Sequence, residues 1–325
     1  MLSQSRRTEI IPVTPAGLHL PVVIVAAGAG AARRFVEFFT ANIRNKNTRA
    51  AYGRAVGAFL TWCDRRGRSL ATIDPVLVAA YVEQLLSDGL SKPTVKQHLA
   101  AIRMLFDWMV TGGFLPFNPA ASVRGPKYVV KKGKTPVLTV EEARLLLDSI
   151  DISELSGLRD RALIGAMVYS FARVSAVVGM NVEDYYQQGK RCWLRLQEKG
   201  GKQHEVPAHH KAEEYLDAYI AAAGIGKEKG SPLWRSLTKE RGVGESRLDR
   251  VSVYRMIQRR LRHAELNARA NCHTFRATGI TAYLLNGGTI EKAQAIAAHE
   301  SPRTTKLYDR TTDEITLDEV ERIGI

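Results

Sequence analysis

The chain of 325 residues is 45% hydrophobic and 25% charged, a composition that is typical of globular proteins and excludes fibrous and disordered classes. It is longer than a single hydrophobic core usually serves, so we expect two domains. The net charge of +14 makes a polyanion the natural partner, with nucleic acid favoured over an anionic membrane surface.

The positive charge is concentrated in one part of the chain. Residues 28 to 136 hold 17 Lys and Arg residues against six Asp and Glu residues. The three cysteines are far apart and form no CxxC pair, which argues against a disulfide framework and for a reduced compartment. No apolar run is long enough to span a membrane, and Pro12 and Pro15 interrupt the approach to the signal-like stretch LPVVIVAAGAGAA. We therefore expect a cytoplasmic, nucleoid-associated DNA-binding protein with no membrane partner.

The first third of the chain predicts a small helical bundle. After a tail of residues 1–27 with no clear role, four helical patterns joined by short loops occupy residues 28–123. Asn47 is a candidate N-cap of the second helix, Asp74 caps the third, and Ser91 caps the fourth. Six basic residues lie off the apolar stripes and predict a phosphate-binding face: Lys46, Arg49, Arg54, Lys92, Lys96 and Arg103.

A basic linker, residues 124–136, follows the bundle. Its sequence RGPKYVVKKGKTP has five basic residues and no acidic one, so Lys131 and Lys132 are candidates to lie along DNA. The second domain, residues 137–325, begins at a helix whose capping box pairs Thr139 with Glu142.

The second domain is predicted to be mixed α/β but mostly helical. Within CWLRLQEKGGKQHEVP, alternating polar and apolar residues predict a β-hairpin that turns at the GG pair. The segment SVYRMIQRRLRHAEL predicts a helix that turns Tyr254 inward. Arg255, Arg259 and Arg262 form a separate stripe on that helix, which can enter a DNA groove or bind phosphates.

Two segments near the end of the chain carry side chains that suit phosphate chemistry. HTFRATG places His273 and Arg276 three residues apart, on one face of a helix. HESPRTTKLYDR holds His299 at the end of one predicted helix and Tyr308 two turns into the next. Taken alone, Tyr308 is more often a packing residue. The turn between the two helices can nevertheless bring these side chains together.

In this order the residues resemble the tyrosine recombinases of the phage integrase family, which are site-specific DNA recombinases. The family has a His-x-x-Arg, then a His or Trp, then a Tyr nine residues later. Those positions are matched by His273, Arg276, His299 and Tyr308.

Two further motifs carry the same resemblance. The family's first arginine matches Arg173 in SFARVSAVVGM, and its hairpin lysine matches Lys199 in EKGGKQHEVP, with Lys202 as the alternative. The helical bundle, with NPA before the linker, is similar to the family's core-binding domain. The resemblance covers roughly residues 28 to 312 and implies a mainly α protein, a four-helix SAM-like bundle followed by a catalytic domain with a small β-hairpin.

The resemblance also implies a mechanism that needs no metal, ATP or other cofactor. A tyrosine hydroxyl, Tyr308, would attack a DNA phosphorus and form a 3′-phosphotyrosyl ester. Two forked guanidiniums, Arg173 and Arg276, suit the charge that builds on the phosphate oxygens. His273 would accept or relay the tyrosine proton, and Lys199 would protonate the leaving 5′ oxygen. In addition, His299 would hydrogen-bond a phosphate oxygen.

The implied partners are double-stranded recombination sites and further copies of the chain, in a tetramer on DNA. An accessory DNA-bending protein or a partner recombinase stays open, as does the choice among integration, excision and resolution of a mobile element. Two positions depart from the family pattern, because Ala176 and Ala277 stand where an acidic residue and a histidine are usual. They leave a weak or inactive DNA-binding relative as one alternative. A type IB topoisomerase, which relaxes DNA without pairing sites, is the other.

Overall fold

The structure, a computed structural model, describes residues 20–130, 133–198, 200–238, 242–266, 269–309 and 321. The chain divides into two compact units, residues 1–129 and 130–325. Three predicted site residues, Lys131, Lys132 and Lys199, lie outside the described residues, as does most of the predicted tail. Within the described part, no helix is both long enough and apolar enough to cross a membrane.

The first unit is a helical bundle around an aromatic-rich core. Its α-helices are α1 Val22–Ala26, α2 Ala29–Glu37, α3 Lys46–Asp64, α4 Pro75–Ser87 and α5 Lys92–Thr111. A π-helical turn, Phe38–Asn42, continues α2. The phenylalanines predicted to face the core do so, since Phe35, Phe38 and Phe39 are each at most 2% exposed.

Side chains cap the beginnings of α3 and α4, whereas Ser91 precedes α5 as predicted but makes no side-chain cap bond. The Asp74 carboxylate accepts from the Leu77 N–H at 2.7 Å, with Pro75 in the first helical position, as predicted. Asn47 was the wrong cap for α3. The Asn45 side chain accepts the free N–H groups of Asn47 and of the next residue at 2.9 and 3.1 Å, because the helix begins two residues earlier than its apolar stripe suggests.

The last residues of the predicted tail, residues 1–27, form a helix of the first unit. Residues 22–26 form α1, in which Val23 and Ile24 are 3% and 0% exposed and belong to the core of the first unit. Their apolar character, which looked like a signal sequence, is explained by burial against the bundle.

The second unit combines helices with two small antiparallel sheets. Its helices are α6 Val140–Asp148, α7 Leu155–Tyr169, α8 Val174–Gly179, α9 His210–Ala223, α10 Arg250–His263, α11 Cys272–Leu285, α12 Ile290–Ile296 and α13 Pro302–Lys306. Its strands are β1 Tyr185–Gln188, β2 Arg191–Gln197, β3 Gln203–Pro207, β4 Arg235–Leu237 and β5 Val243–Arg247.

The predicted hairpin is the β2–β3 pair, which has β1 on the other side of β2. Leu194 pairs with Val206 and both are buried, which fixes the register by the apolar face. Gly200 and Gly201 have φ values of 83° and 80°, which only glycine adopts without strain.

Helices α7 and α11 pack closely and form the centre of the second unit. A Cβ at Gly279 of α11 would lie 2.0 Å from the carbonyl oxygen of Val168 in α7. Glycine is therefore required for this approach, and the approach fixes the position of the side chains on the first turns of α11.

Candidate active site

Helix α11 supplies two predicted catalytic residues on one face. The side chain of Asn271 caps the helix and accepts from the His273 N–H at 2.8 Å. His273 lies in the first turn, and Arg276 lies three residues later. This part of the site forms as the spacing predicted.

His299 and Tyr308 both lie outside helices, which corrects their predicted positions. Helix α12 ends at Ile296, and a left-handed Ala298 with φ of 48° redirects the backbone before His299. Helix α13 is only five residues long, so Tyr308 follows its end instead of lying two turns inside it. The predicted convergence of the two side chains is nevertheless observed.

The Tyr308 hydroxyl is the centre of the site. It lies 2.7 Å from Nε2 of His273, and its ring stacks on His299 with centroids 5.8 Å apart and planes inclined by 9°. His299 is fixed in turn by a 2.9 Å hydrogen bond between Nδ1 and the Thr305 hydroxyl. The tyrosine is 7% exposed, but its hydroxyl meets an imidazole nitrogen and not apolar packing.

Arg276 is fully buried and held by two backbone carbonyls. Its Nη1 donates to the carbonyl of Phe171, and its Nη2 donates to the carbonyl of Ala297 at 2.7 Å. Among the described residues nothing accepts from its Nε, which is a buried donor without a hydrogen-bond partner. Arg276 also acts electrostatically on Tyr308, because its charge lowers the pKa of the phenol.

Arg173 lies at the N-terminal cap of α8 and joins the site from a different part of the chain. Its Nη1 contacts the carboxylate of Glu198, a residue of the β2–β3 turn. The Arg173 side chain is 32% exposed, whereas that of Glu198 is 3% exposed. Lys199 follows Glu198 directly in the chain, and the alternative Lys202 is exposed at the far side of the turn.

The two positions that depart from the family pattern are buried among apolar residues. Ala176 is 1% exposed within the main core of the second unit. Ala277 is 0% exposed and belongs to the small cluster that also contains Tyr308. Neither position contributes a polar group to the site.

The electrostatics of the site favour the neutral form of both histidines. Burial, followed by the charges of Arg276 and Arg173, lowers the pKa of His273. The same causes, with His273 added, lower the pKa of His299 to about 3. Burial raises the pKa of Tyr308, and the two arginines oppose that rise. In the free protein the arrangement is therefore a neutral phenol beside a neutral imidazole that can take its proton.

Burial also acts on Arg276, whose pKa falls to about 10, with repulsion from Arg173 as the second cause. The carboxylate of Glu198 opposes this fall. Arg276 thus stays charged near neutral pH, in a position that suits a phosphate.

The predicted DNA-contacting residues have different environments. Lys46, Arg54, Lys92 and Lys96 are exposed. By contrast, Arg49 and Arg103 bind backbone carbonyls. Arg49 donates to the carbonyl of Ile43 at 2.8 and 3.0 Å, and Arg103 holds the carbonyls of Ala120 and Val123. These two side chains stabilise the bundle and have fewer donors to offer DNA.

Helix α10 presents a mixed surface. Arg255 is exposed, whereas Arg259 donates to the fully buried carboxylate of Asp160 at 3.1 Å while remaining 45% exposed. Tyr254, predicted to face inward, is 47% exposed, because the packed face of α10 is formed by Val253, Met256 and Ile257.

Sequence reasoning missed three contributors to the site. The sequence shows Glu198 directly before the motif lysine, Lys199, but gives no sign that it contacts Arg173. Thr305 holds His299, and His204 of β3 lies 2.9 Å from the carbonyl of Ile296, which connects the hairpin with α12. No motif points to the last two. The His204 contact joins segments 92 residues apart, and the Thr305 contact depends on the bend of the backbone between His299 and α13.

Comparisons with known proteins agree with this geometry. The model of the Phage integrase family matches residues 136–314, more than half of the chain, and that of the Phage integrase, N-terminal SAM-like domain matches residues 33–113. Tyrosine recombinase XerC of Thermodesulfovibrio yellowstonii is 28% identical over 239 residues, 73% of this chain and 77% of the relative. Tyrosine recombinase XerD of Corynebacterium glutamicum is 28% identical over 275 residues, 82% of this chain and 88% of the relative.

Solved structures share the fold. XerH site-specific recombinase bound to difH substrate, in a pre-cleavage complex, has a TM-score of 0.68 at 18% identity, covering 92% of this chain and 94% of that one. A lambda integrase tetramer bound to a Holliday junction has a TM-score of 0.65 at 18% identity, covering 92% and 84%. The predicted mainly α architecture, a helical N-terminal domain followed by a second domain with small sheets, is thereby confirmed.

Proposed function

This chain belongs to the phage integrase family of site-specific tyrosine recombinases, and from that premise we propose that Tyr308 is its nucleophile. The observation that carries the proposal is the 2.7 Å contact between the Tyr308 hydroxyl and Nε2 of a neutral His273, with Arg276 fixed beside it. A phenol with a raised pKa needs such an acceptor in order to attack near neutral pH.

Five of the six proposed catalytic side chains act in the steps of cleavage. The Tyr308 oxygen bonds to the phosphorus and its proton passes to His273, while the bond from phosphorus to the 5′ oxygen breaks. The unpaired Nε of Arg276 and the exposed side of Arg173 meet the non-bridging oxygens, where charge builds up. Lys199 protonates the leaving 5′ oxygen. The product is a 3′-phosphotyrosyl ester and a free 5′ hydroxyl.

The ester conserves the energy of the original bond, so a 5′ hydroxyl from another strand reverses the step without ATP. The reaction therefore exchanges strands. We propose that it serves integration, excision or resolution of a mobile element, in the cytoplasm at the nucleoid. Residues 28–123 would grip DNA, residues 124–136 would lie along it as a linker, and residues 137–325 would catalyse.

A homotetramer on two duplex sites is the proposed assembly. Support comes from the lambda integrase structure, which is a tetramer bound to a Holliday junction, and from XerH, which is bound to its difH substrate. The basic excess of residues 28–136 supplies the charge that a DNA backbone attracts. An accessory DNA-bending protein or partner recombinase is compatible with this assembly.

The proposal is tested by covalent trapping. The full chain first selects its binding site from random duplex DNA, and a nicked suicide substrate is then built on that site. Wild type should give a protein–DNA adduct that resists denaturation, and Tyr308→Phe should abolish it. Tyr283→Phe, a matched change on α11, should leave the adduct intact. Absence of an adduct with wild type, or its persistence in Tyr308→Phe, would overturn the assignment.

Relaxation of a supercoiled plasmid that lacks the selected site separates recombination from topoisomerase activity. We expect little relaxation without the site and strand exchange between two plasmids that carry it. Efficient relaxation of the site-free plasmid would favour the type IB topoisomerase alternative.

A further inference from the structure

We propose that Glu198 is a positioning residue for Arg173, holding its guanidinium in the active site through a buried ion pair. The inference rests on the proposed function, and it adds a residue to which that function assigns no role. It is motivated by a contact between two segments that are 25 residues apart in the chain.

The contact between Arg173 and Glu198 can hold the guanidinium in place. The carboxylate of Glu198 is 3% exposed, and it meets Nη1 of Arg173. A buried carboxylate is stable only when paired, so this partner is required and not incidental. The pair uses Nη1, and among the described residues no hydrogen bond engages Nε or Nη2 of Arg173, so these two atoms can meet phosphate oxygens. The fork of a guanidinium allows both contacts at once.

Arg173 needs such a support. Its backbone lies at the start of the short helix α8, and its side chain is 32% exposed, so its several rotatable bonds would otherwise leave the charged end mobile. Position 176, one helical turn further along, is an alanine buried at 1% in apolar surroundings and offers no carboxylate.

The charge of Glu198 also balances the two catalytic cations. Arg173 lowers the pKa of Arg276 by repulsion, and Glu198 is the carboxylate that opposes this effect. Without it, the repulsion between the two guanidiniums would be less balanced until DNA arrives. The ion pair thus keeps the cationic site assembled before the phosphate binds.

The pair additionally anchors the turn that carries the motif lysine. The N–H of Glu198 donates to the carbonyl of Lys202 at 2.7 Å, and Lys199 lies between these two residues in the sequence. Glu198 could therefore act on catalysis through Arg173 or through Lys199, and the test has to distinguish these routes.

The test compares Glu198→Gln and Glu198→Asp with wild type in single-turnover cleavage of the nicked suicide substrate at saturating protein. We expect Glu198→Gln to slow adduct formation about 10- to 100-fold, a loss typical of a catalytic group displaced by about 1 Å. The DNA dissociation constant should stay within about two-fold, because Arg173 is one of many phosphate contacts. Glu198→Asp, which keeps the charge, should recover part of the rate. Glu205→Gln, an exposed acid on β3, is the matched control and should cleave like wild type.

A substrate with sulfur in place of the bridging 5′ oxygen separates the two routes. A thiolate leaves without a general acid because the pKa of the corresponding thiol is only about 8.5. The slow cleavage by Glu198→Gln should persist on this substrate, since the defect lies at Arg173. Recovery to the wild-type rate would assign the effect to Lys199 and overturn the proposal, as would an unchanged or faster rate on the ordinary substrate. Failure of wild type to form any adduct would instead refute the proposed function itself.

Discussion

Protonation of His299 should destabilise the second unit as the pH falls, and the size of the effect follows from its burial. His299 is 6% exposed, and burial, Arg276 and Arg173 lower its pKa to about 3. In the unfolded chain a histidine has a pKa of about 6.5. Between these values the unfolded state binds a proton that the folded state excludes, so stability is lost as the pH falls below about 6.5. At pH 5 the loss due to His299 amounts to about 2 kcal/mol.

Urea unfolding of wild type and His299→Gln at pH 7, 6 and 5 measures this contribution. Tryptophan fluorescence is a suitable signal, because Trp234 is fully buried in the second unit. The difference in unfolding free energy between the two proteins should change by about 2 kcal/mol from pH 7 to 5, with wild type losing more.

Parallel free-energy curves for wild type and His299→Gln across this range would refute the reasoning. They would mean that His299 takes up a proton in the folded state as easily as in the unfolded one. A desolvated ring between a tyrosine and two guanidiniums could not then be its environment.

Three further predictions concern packing and proton transfer. Gly279→Ala places a Cβ 2.0 Å from a carbonyl oxygen of α7, so thermal unfolding should show that the free energy of unfolding falls by about 3 kcal/mol or more. The control Gly57→Ala, whose Cβ would have nothing within 4 Å, should change that free energy by about 1 kcal/mol or less. The proposed proton transfer needs a neutral His273, whose pKa is lowered from 6.5. The cleavage rate should therefore stay constant as the pH falls to about 6.5 and decline only below that pH. A decline in the rate that begins above about pH 7 would contradict this role. Lys199→Ala should cleave poorly with an oxygen leaving group and recover with sulfur, while Lys202→Ala should resemble wild type, and the reverse result would identify Lys202 as the acid.

The parts of the site that the sequence predicted are those governed by local periodicity. His273 and Arg276 share a face because helical residues three apart are neighbours, and the Asn271 cap fixes where that helix begins. The hairpin followed from alternation and two glycines. In both cases the interacting residues lie within one supersecondary unit, so short-range patterns contain the needed information.

The remaining parts depend on packing between distant segments. The Arg173–Glu198 pair requires the register of the hairpin and the position of α8, and neither is encoded in residue spacing. The inward placement of Tyr254 was wrong for a related reason. A helical stripe shows which residues share a face, but the neighbouring elements decide which face is covered.

Backbone conformation explains how one arginine can organise the site. Arg276 donates to the carbonyls of Phe171 and Ala297. Phe171 itself has a left-handed backbone with φ of 54°, and Ala298, which follows Ala297, has a left-handed backbone with φ of 48°. A left-handed non-glycine residue costs roughly 1–2 kcal/mol, whereas a hydrogen bond to a charged group contributes about 1.5–3 kcal/mol. The two bonds therefore offset the two strained residues. Because the strained residues redirect the chain just before Arg173 and just before His299, the guanidinium of Arg276, which we propose binds phosphate, also fixes the segments that carry its partners.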